Sequence, residues 1–381
     1  MGTYWRWQFW VTLFPACLTY VIASWSVRYP VPRRKQGMSF REQLREVDFL
    51  GCFLILGMWS TTLIAMSMGN KRYPWNVGIF LSFTSSYLNF GHLIQSFPII
   101  ILLAFGALLV PWFVIHEFKA KHPIVDLRLF ANRNIPVACA INFFTGAAYF
   151  GAIVFLPQYF IFGKGSSPFA TGGQMLGMVL SIGLSSLLAA RALSSSGKFR
   201  FVGSAGGMLY TIGATLMLTI EGPSSYGIAV IYSILLGIGA GIMFLPAALL
   251  GPMLCRPHQA AIGAGLLAFC RTLGGMFAVV LSSNLLQAGF TGRLREKIPD
   301  ELLRQGLRLA EEQSLYPEFR EQINKAVVWG YRLTNIPAAA VGVIYAVALL
   351  TLRNVDFDPN RGHVVVVDVE NAKHIEAVEG E

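Results

Sequence analysis

Arg271 is the residue whose position most invites chemistry, because its guanidinium falls inside the apolar run 261–286. A charge at the centre of a membrane-crossing helix costs roughly 2.5–3.5 kcal/mol on insertion scales. Such a residue therefore faces a bundle interior, where it meets a ligand or a partner carboxylate, or else it snorkels to the headgroups. About ten residues separate Arg271 from Ala261, and both readings stand. Polar and aromatic side chains inside other apolar runs are the remaining cavity candidates: Asn142, Phe143, Tyr149, Gln158 and Gln174, then Tyr232, Phe244 and Asn284. A weakly polar, aromatic lining suits amphipathic organic molecules, whereas most aromatics in such runs pack or sit at an interface. Gly237, Gly239 and Gly241, in LLGIGAGIMFLP, read as a flexible gate or as small-residue helix packing; Gly274 and Gly275 would likewise let helices approach closely.

Other chemistries are excluded by spacing. HEFKAKH (His116–His122) separates its histidines by six residues; at 100° per residue they point about 240° apart, so one metal cannot use both. GKGSS (Gly163–Ser167) lacks the phosphate-cradling G-x-x-x-x-G-K-[ST] order. No Ser-His-Asp set or paired carboxylates occur within a run, which argues against an enzyme. Cys17, Cys52, Cys139, Cys255 and Cys270 are scattered singly in or beside apolar segments, with neither disulfide nor metal spacing. No catalytic residue, metal or cofactor is expected.

The elements that must position these residues follow from composition. Of 381 residues, 54% are hydrophobic and only 13% charged, about half the charged fraction of a soluble domain. A net charge of +10 could suggest nucleic acid, but the basic residues are parcelled between apolar runs, so none is expected as a partner. A bilayer needs about 20 apolar residues per helix. Nine runs qualify, near 8–27, 48–68, 98–116, 136–160, 171–190, 201–220, 227–254, 261–286 and 327–352. They are continuous rather than alternating, so helices and not barrel strands are predicted. With the N-terminus outside, the short interior segments and the tail carry 17 basic residues and the short exterior ones four. That asymmetry orients the chain, with its C-terminus in the cytoplasm.

Three segments stand apart. Gln287–Lys325 is a long loop of mixed charge, where Leu294, Ile298, Leu302, Leu303 and Leu307 recur at near-helical spacing. It reads as an interfacial amphipathic helix, a packing cap over the bundle or a ligand lid. The acidic tail after Leu352 contains a valine run and adds no span. Val77–Gln95 is aromatic, rich in serine and only moderately apolar; counted as a tenth span it would spoil the charge asymmetry. It reads as an exterior or re-entrant insert, or as the translation of a retained intron.

With the spans in place, the motifs resemble a known family. WRWQFW (Trp5–Trp10) followed by Leu13-Phe14-Pro15 resembles the entry to the sixth helix of 14-spanner drug:proton antiporters, within the major facilitator superfamily. DFLGCFLILG (Asp48–Gly57) and YPW (Tyr73–Trp75) resemble its seventh helix and the exit from it. HPIVDLRLFANRN (His122–Asn134) is similar to the linker before the ninth helix. FLPQYF (Phe155–Phe160) with GKGSSPFATGG (Gly163–Gly173) is similar to the ninth-to-tenth connection, and FCRTLGGMF (Phe269–Phe277) to the thirteenth helix. Fungal toxin and multidrug efflux members are the nearest in kind.

The resemblance implies an all-α, major-facilitator-type bundle of about nine spans with an incomplete N-terminal half, lacking the first five helices. Residues 1–30 would be one helix of that half and 31–121 two linker helices carrying the insert 77–95. Residues 122–355 would be a six-helix C-terminal half, and 356–381 a cytoplasmic tail. It further implies proton-coupled efflux of a small organic toxin, drug or secondary metabolite at the plasma membrane, or at a vacuolar one. The alternative is a non-transporting remnant that assembles with a missing half or another membrane protein. None of the 20 acidic residues falls in the middle of a run. Proton coupling needs a titrating group there, so the coupling residue is expected outside this chain.

Overall fold

The computed structural model describes residues 6–26, 48–68, 90–120, 124–125, 127–220, 226–255, 259–295, 298–299, 307–311, 316–352, 355–357 and 364–366. Among them, nine helices are long and apolar enough to cross a membrane. The chain divides into a unit of residues 1–49 and a unit of residues 50–381. The first contains α1 (Trp7–Ser26), an apolar helix with Pro15 inside it.

In the second unit, α2 (Phe49–Met68) and α3 (Phe90–Lys119) precede a one-turn 3-10 helix at Leu127–Ala131. Then come α4 (Asn134–Gln158), which ends in a π turn at Tyr159–Gly163, α5 (Pro168–Ser196) and α6 (Phe199–Leu218). They are followed by α7 (Tyr226–Leu254), α8 (Ala260–Leu294), the short α9 (Arg308–Glu311) and α10 (Arg320–Leu350). The fold is an all-α helix bundle. One small exception was not expected from sequence: beyond α10, β1 (Val355–Phe357) pairs antiparallel with β2 (Val364–Val366), Asp356 opposite Val365.

Six helices pack on one another around one core. The most extensive pairings are α4 with α8, α5 with α7 and α6 with α10; α7 also lies on α6, and α10 on α8 and α4. Exchanging α4, α5 and α6 for α7, α8 and α10 turns the first pairing into the second and leaves the third unchanged. Two three-helix repeats related by a pseudo-twofold axis would show this pattern.

Helices in lipid gain no hydrophobic driving force from meeting each other, so close backbone approach supplies the association. Gly237 and Gly241 lie four residues apart and share one face of α7. A Cβ on either would meet the serine hydroxyls and backbone of α5: Ser181 Oγ at 2.2 Å and Ser185 Oγ at 2.1 Å. Gly239 faces the other way, where a Cβ would stand 2.3 Å from the Tyr210 nitrogen on α6. Gly207 and Gly342 meet reciprocally between α6 and α10, a Cβ on each falling 2.6–2.7 Å from the other's carbonyl oxygen. The outward faces are the converse. Leu180, Leu184 and Leu187 form an exposed stripe on α5, which water would penalise and lipid does not.

Loops and caps follow local chemistry. GKGSS is a turn and a helix cap: Gly165 takes a positive φ of 69°, Ser167 Oγ accepts from the Ala170 amide, and Pro168 opens α5. The long 287–325 connection is shorter than expected, because α8 continues to Leu294 and α10 begins at Arg320. Charged residues such as Arg293, Glu321 and Lys325 sit on these end turns and mask them from an apolar-run reading. Leu294 is therefore the last residue of α8 instead of part of a separate helix. It joins Phe290, Ile298, Leu309 and Ile323 in a second apolar cluster. Leu302 and Leu303 lie outside the described residues. Of the anomalous insert, 77–89 lie outside the described residues, and 90–95 are helical, continuous with α3.

Candidate functional site

A cavity of about 220 Å³ opens among α2, α4, α6, α7, α8 and α10. Phe143 and Phe144 from α4, Phe277 from α8 and Tyr331 from α10 supply its aromatic walls, with Thr334 and Asn335 as polar groups. Phe143 stands edge-on to Phe144 at 5.5 Å and tilted to Phe277 at 5.8 Å, and Trp59 of α2 stands T-shaped on Phe277 at 5.6 Å. Such offset and perpendicular pairs suit the aromatic quadrupole.

Glycines let α8 press against α4 in this wall. Gly274 lines the cavity, and a Cβ there would collide with the Phe143 carbonyl at 1.8 Å. Gly275, next along, faces the Phe150 ring at 2.3 Å in the same sense. Pro337, inside α10, also lines the cavity. Lacking an N–H, it leaves the helix one hydrogen bond short at this level. Thr334 Oγ1 and Asn335 Nδ2 both donate to the Tyr331 carbonyl, at 2.7 and 2.9 Å.

One turn before Gly274, the Arg271 guanidinium lies over the Phe244 ring of α7, 4.6 Å from its centroid. Tyr149 of α4 flanks the same ring at 6.2 Å and meets Phe150 at 5.3 Å. Arg271 is half-buried, and its Nη1 is enclosed without a hydrogen-bond partner. A cation held on a ring face, with a donor still unused, is an anchor for a carbonyl, hydroxyl or carboxylate oxygen.

The other sequence-nominated residues are distributed differently. Of the nine cavity candidates, Phe143 lies in the wall, and Tyr149, Phe244 and Arg271 form the adjoining cation–aromatic group. Asn142 is a helix tie, its Nδ2 donating to Ala138 O at 3.0 Å and across to Ala247 O of α7 at 2.9 Å. Asn284 performs the same office between α8 and α2, donating to Met66 O at 3.0 Å. Gln174 reaches Ser166 Oγ at 3.5 Å near the start of α5. Gln158 is half-buried at the end of α4, and Tyr232 packs against the main core.

Sequence reasoning missed Tyr210, Tyr331, Thr334 and Asn335. The signal available was the polar pair Thr334-Asn335 just before Pro337, in the middle of an apolar run. It also missed that Cys139 of α4 and Cys270 of α8, both free thiols, are close neighbours. Carboxylates behave otherwise. Among the described residues none occupies the middle of a span; Glu117 is buried near the end of α3, where a carboxylate oxygen accepts from the Val125 amide. No His/Cys/Asp/Glu group suited to a metal occurs among the described residues.

No family model matches the chain. It is similar to MFS transporter L2 of Phoma sp., 25% identical over 292 residues, covering 76% of this chain and 45% of that protein. It is also similar to the efflux pump dotC of Dothistroma septosporum, 26% identical over 284 residues, covering 74% and 45%. To the MFS-type transporter pgmG of Aspergillus terreus it is 25% identical over 335 residues, covering 85% and 56%. The chain spans about half the length of the curated relatives it matches. It is a multi-pass membrane protein of helical-bundle fold, similar over most of its length to fungal major-facilitator transporters and efflux pumps.

Proposed function

We propose that this chain serves efflux of small, amphipathic organic compounds such as toxins, drugs or secondary metabolites. The observation that carries the reading is the aromatic cavity of about 220 Å³ beside the Arg271–Phe244 pair. Rings accept the apolar body of a cargo, and the unused guanidinium donor fixes an oxygen at its edge. The names of the similar proteins, several of them efflux pumps, support the same direction.

In this reading residues 122–355 are the C-terminal six-helix half of a major-facilitator transporter of the 14-spanner drug:proton type. Residues 31–121 contribute two linker helices and 1–30 one helix of the other half. The N-terminus lies outside and the C-terminus in the cytoplasm, at the plasma membrane. Transport proceeds by alternating access, the bundle rocking against a second half about a midplane site. Proton coupling then resides in a carboxylate of that other half, since no described span holds one at its centre. The same observation favours a second reading, a membrane component that does not transport by itself.

Expression of the chain in yeast lacking its own efflux pumps separates the two. Sensitivity to a panel of amphipathic toxins is measured alongside surface abundance of the protein. Resistance to some of them, lost in Arg271→Gln and Phe277→Ala at unchanged abundance, supports efflux through this cavity. Unaltered sensitivity, with the protein at the surface, sinks the transporting role of the chain by itself.

A further inference from the structure

Arg271 stands about three turns into α8, and its guanidinium is turned onto the Phe244 ring of the neighbouring α7. The helices packed around it carry nothing that would neutralise this charge. Neither Asp nor Glu occurs anywhere along α4, α5, α6, α7 or α8. The one acid of α10, Glu321, belongs to its first turn and pairs with Lys325. α2, which also borders the aromatic cavity, has none, and Glu117 of α3 lies in that helix's last turn. Among the described residues the Phe244 face is therefore the partner of the guanidinium, and Nη1 stays enclosed without a hydrogen bond.

Helix geometry brings this charge to the edge of the cavity. Arg271, Gly274, Ala278 and Leu281 are spaced three, four and three apart, on one face of α8, and the last three line the cavity. Phe244 covers a flat face of the guanidinium, which leaves N–H groups at its edge to meet a ligand in the plane. A neutral oxygen would take one hydrogen bond there and leave the charge as it was. A carboxylate takes two parallel hydrogen bonds from the arginine fork and cancels the charge as well, in surroundings where charges are poorly screened. Because the ring already holds the guanidinium, little further ordering accompanies binding.

We propose that the cargo of this site is an amphipathic organic acid, its carboxylate bound by Arg271 and its apolar body held against Phe143, Phe144 and Phe277. The proposal rests on the reading of the aromatic cavity as the cargo site and narrows that reading to anions. The apolar wall selects for size, and the guanidinium selects for charge.

The test compares matched acids and amides on the full chain in phosphatidylcholine nanodiscs: naphthoate against naphthamide, and phenylacetate against phenylacetamide. Binding of each tritiated compound at neutral pH is measured by equilibrium dialysis, with empty nanodiscs subtracted. Each acid is expected to bind about tenfold or more tighter than its amide. Arg271→Gln is expected to remove that preference. Should that variant not fold, Arg271→Lys, which keeps the charge and loses the fork, is expected to reduce it. Equal binding of acid and amide by the wild type overturns the proposal, as does an undiminished preference in whichever variant folds. If acid and amide bind equally and Phe277→Ala weakens both, the cavity still takes cargo and the charge preference alone fails. If neither pair binds, the cavity is not the cargo site, and this proposal falls together with the reading beneath it.

Discussion

Gly146 of α4 and Arg271 of α8 meet so closely that a Cβ at position 146 would stand 1.7 Å from the Arg271 carbonyl oxygen. Three residues along each helix the relation is reversed, with Gly274 against the Phe143 carbonyl. The pair of contacts holds Arg271 and the cavity wall in one register.

Gly146→Ala and Gly274→Ala are therefore expected to push α4 and α8 apart. Overpacking costs typically about 1–3 kcal/mol, and here the obstruction is backbone, which cannot rotate away. Gly172→Ala, where nothing lies within 4 Å, serves as the control. Thermal unfolding in detergent should show lower midpoints for the first two variants and an unchanged one for the third.

The Arg271–Phe244 contact is expected to be a measurable coupling. In a double-mutant cycle of Arg271→Gln and Phe244→Leu, the interaction should amount to about 0.5–2 kcal/mol, the range for cation–aromatic pairs from exposed to desolvated. Additive effects on unfolding would mean that the two side chains act separately.

Tyr210 and Tyr345 are fully buried, and each donates across a helix boundary at 2.9 Å, to Ala148 O and Met243 O respectively. Removing either hydroxyl deletes a hydrogen bond between helices, while the carbonyl keeps its partner within its own helix. Tyr210→Phe and Tyr345→Phe should each cost about 0.5–1.5 kcal/mol, read as a fall in the unfolding midpoint without loss of helicity by circular dichroism.

The Cys139–Cys270 contact predicts chemical cross-linking between α4 and α8. Mercuric ion or a short bifunctional thiol reagent should join the peptides containing these two residues, as read by mass spectrometry. Cys139→Ala should abolish the product. Absence of the product from the folded wild type would contradict the arrangement.

Much of the helical layout was legible because lipid imposes a simple demand: long uninterrupted apolar runs with their backbone bonded internally. The exposed charge of Arg271 on the sequence and the four-residue spacing of Gly237 and Gly241 also survive into the structure as a ring-bound cation and a shared packing face. The ends of α8 and α10 were hidden, since Arg293, Glu321 and Lys325 interrupt hydropathy without interrupting helix. Roles within the bundle were harder still. Asn142 and Asn284 have the composition of cavity residues, but which carbonyl a buried amide finds depends on the neighbouring helix, and periodicity along one helix carries no record of its neighbour. For the same reason α10 went unrecognised as a wall, although Thr334 and Asn335 were conspicuous in its sequence.

Three donors in the wall of the aromatic cavity are already engaged. Thr334 and Asn335 give their hydrogens to Tyr331 O, and Tyr210 gives its hydrogen to Ala148 O. A visitor lacking a matching hydroxyl would strand nothing, and one possessing it would gain little. Pockets that await a particular hydrogen bond reject imitators sharply, whereas apolar ones discriminate mainly by size. This wall thus behaves as a coarse sieve, tolerant of what passes so long as it is greasy and small enough.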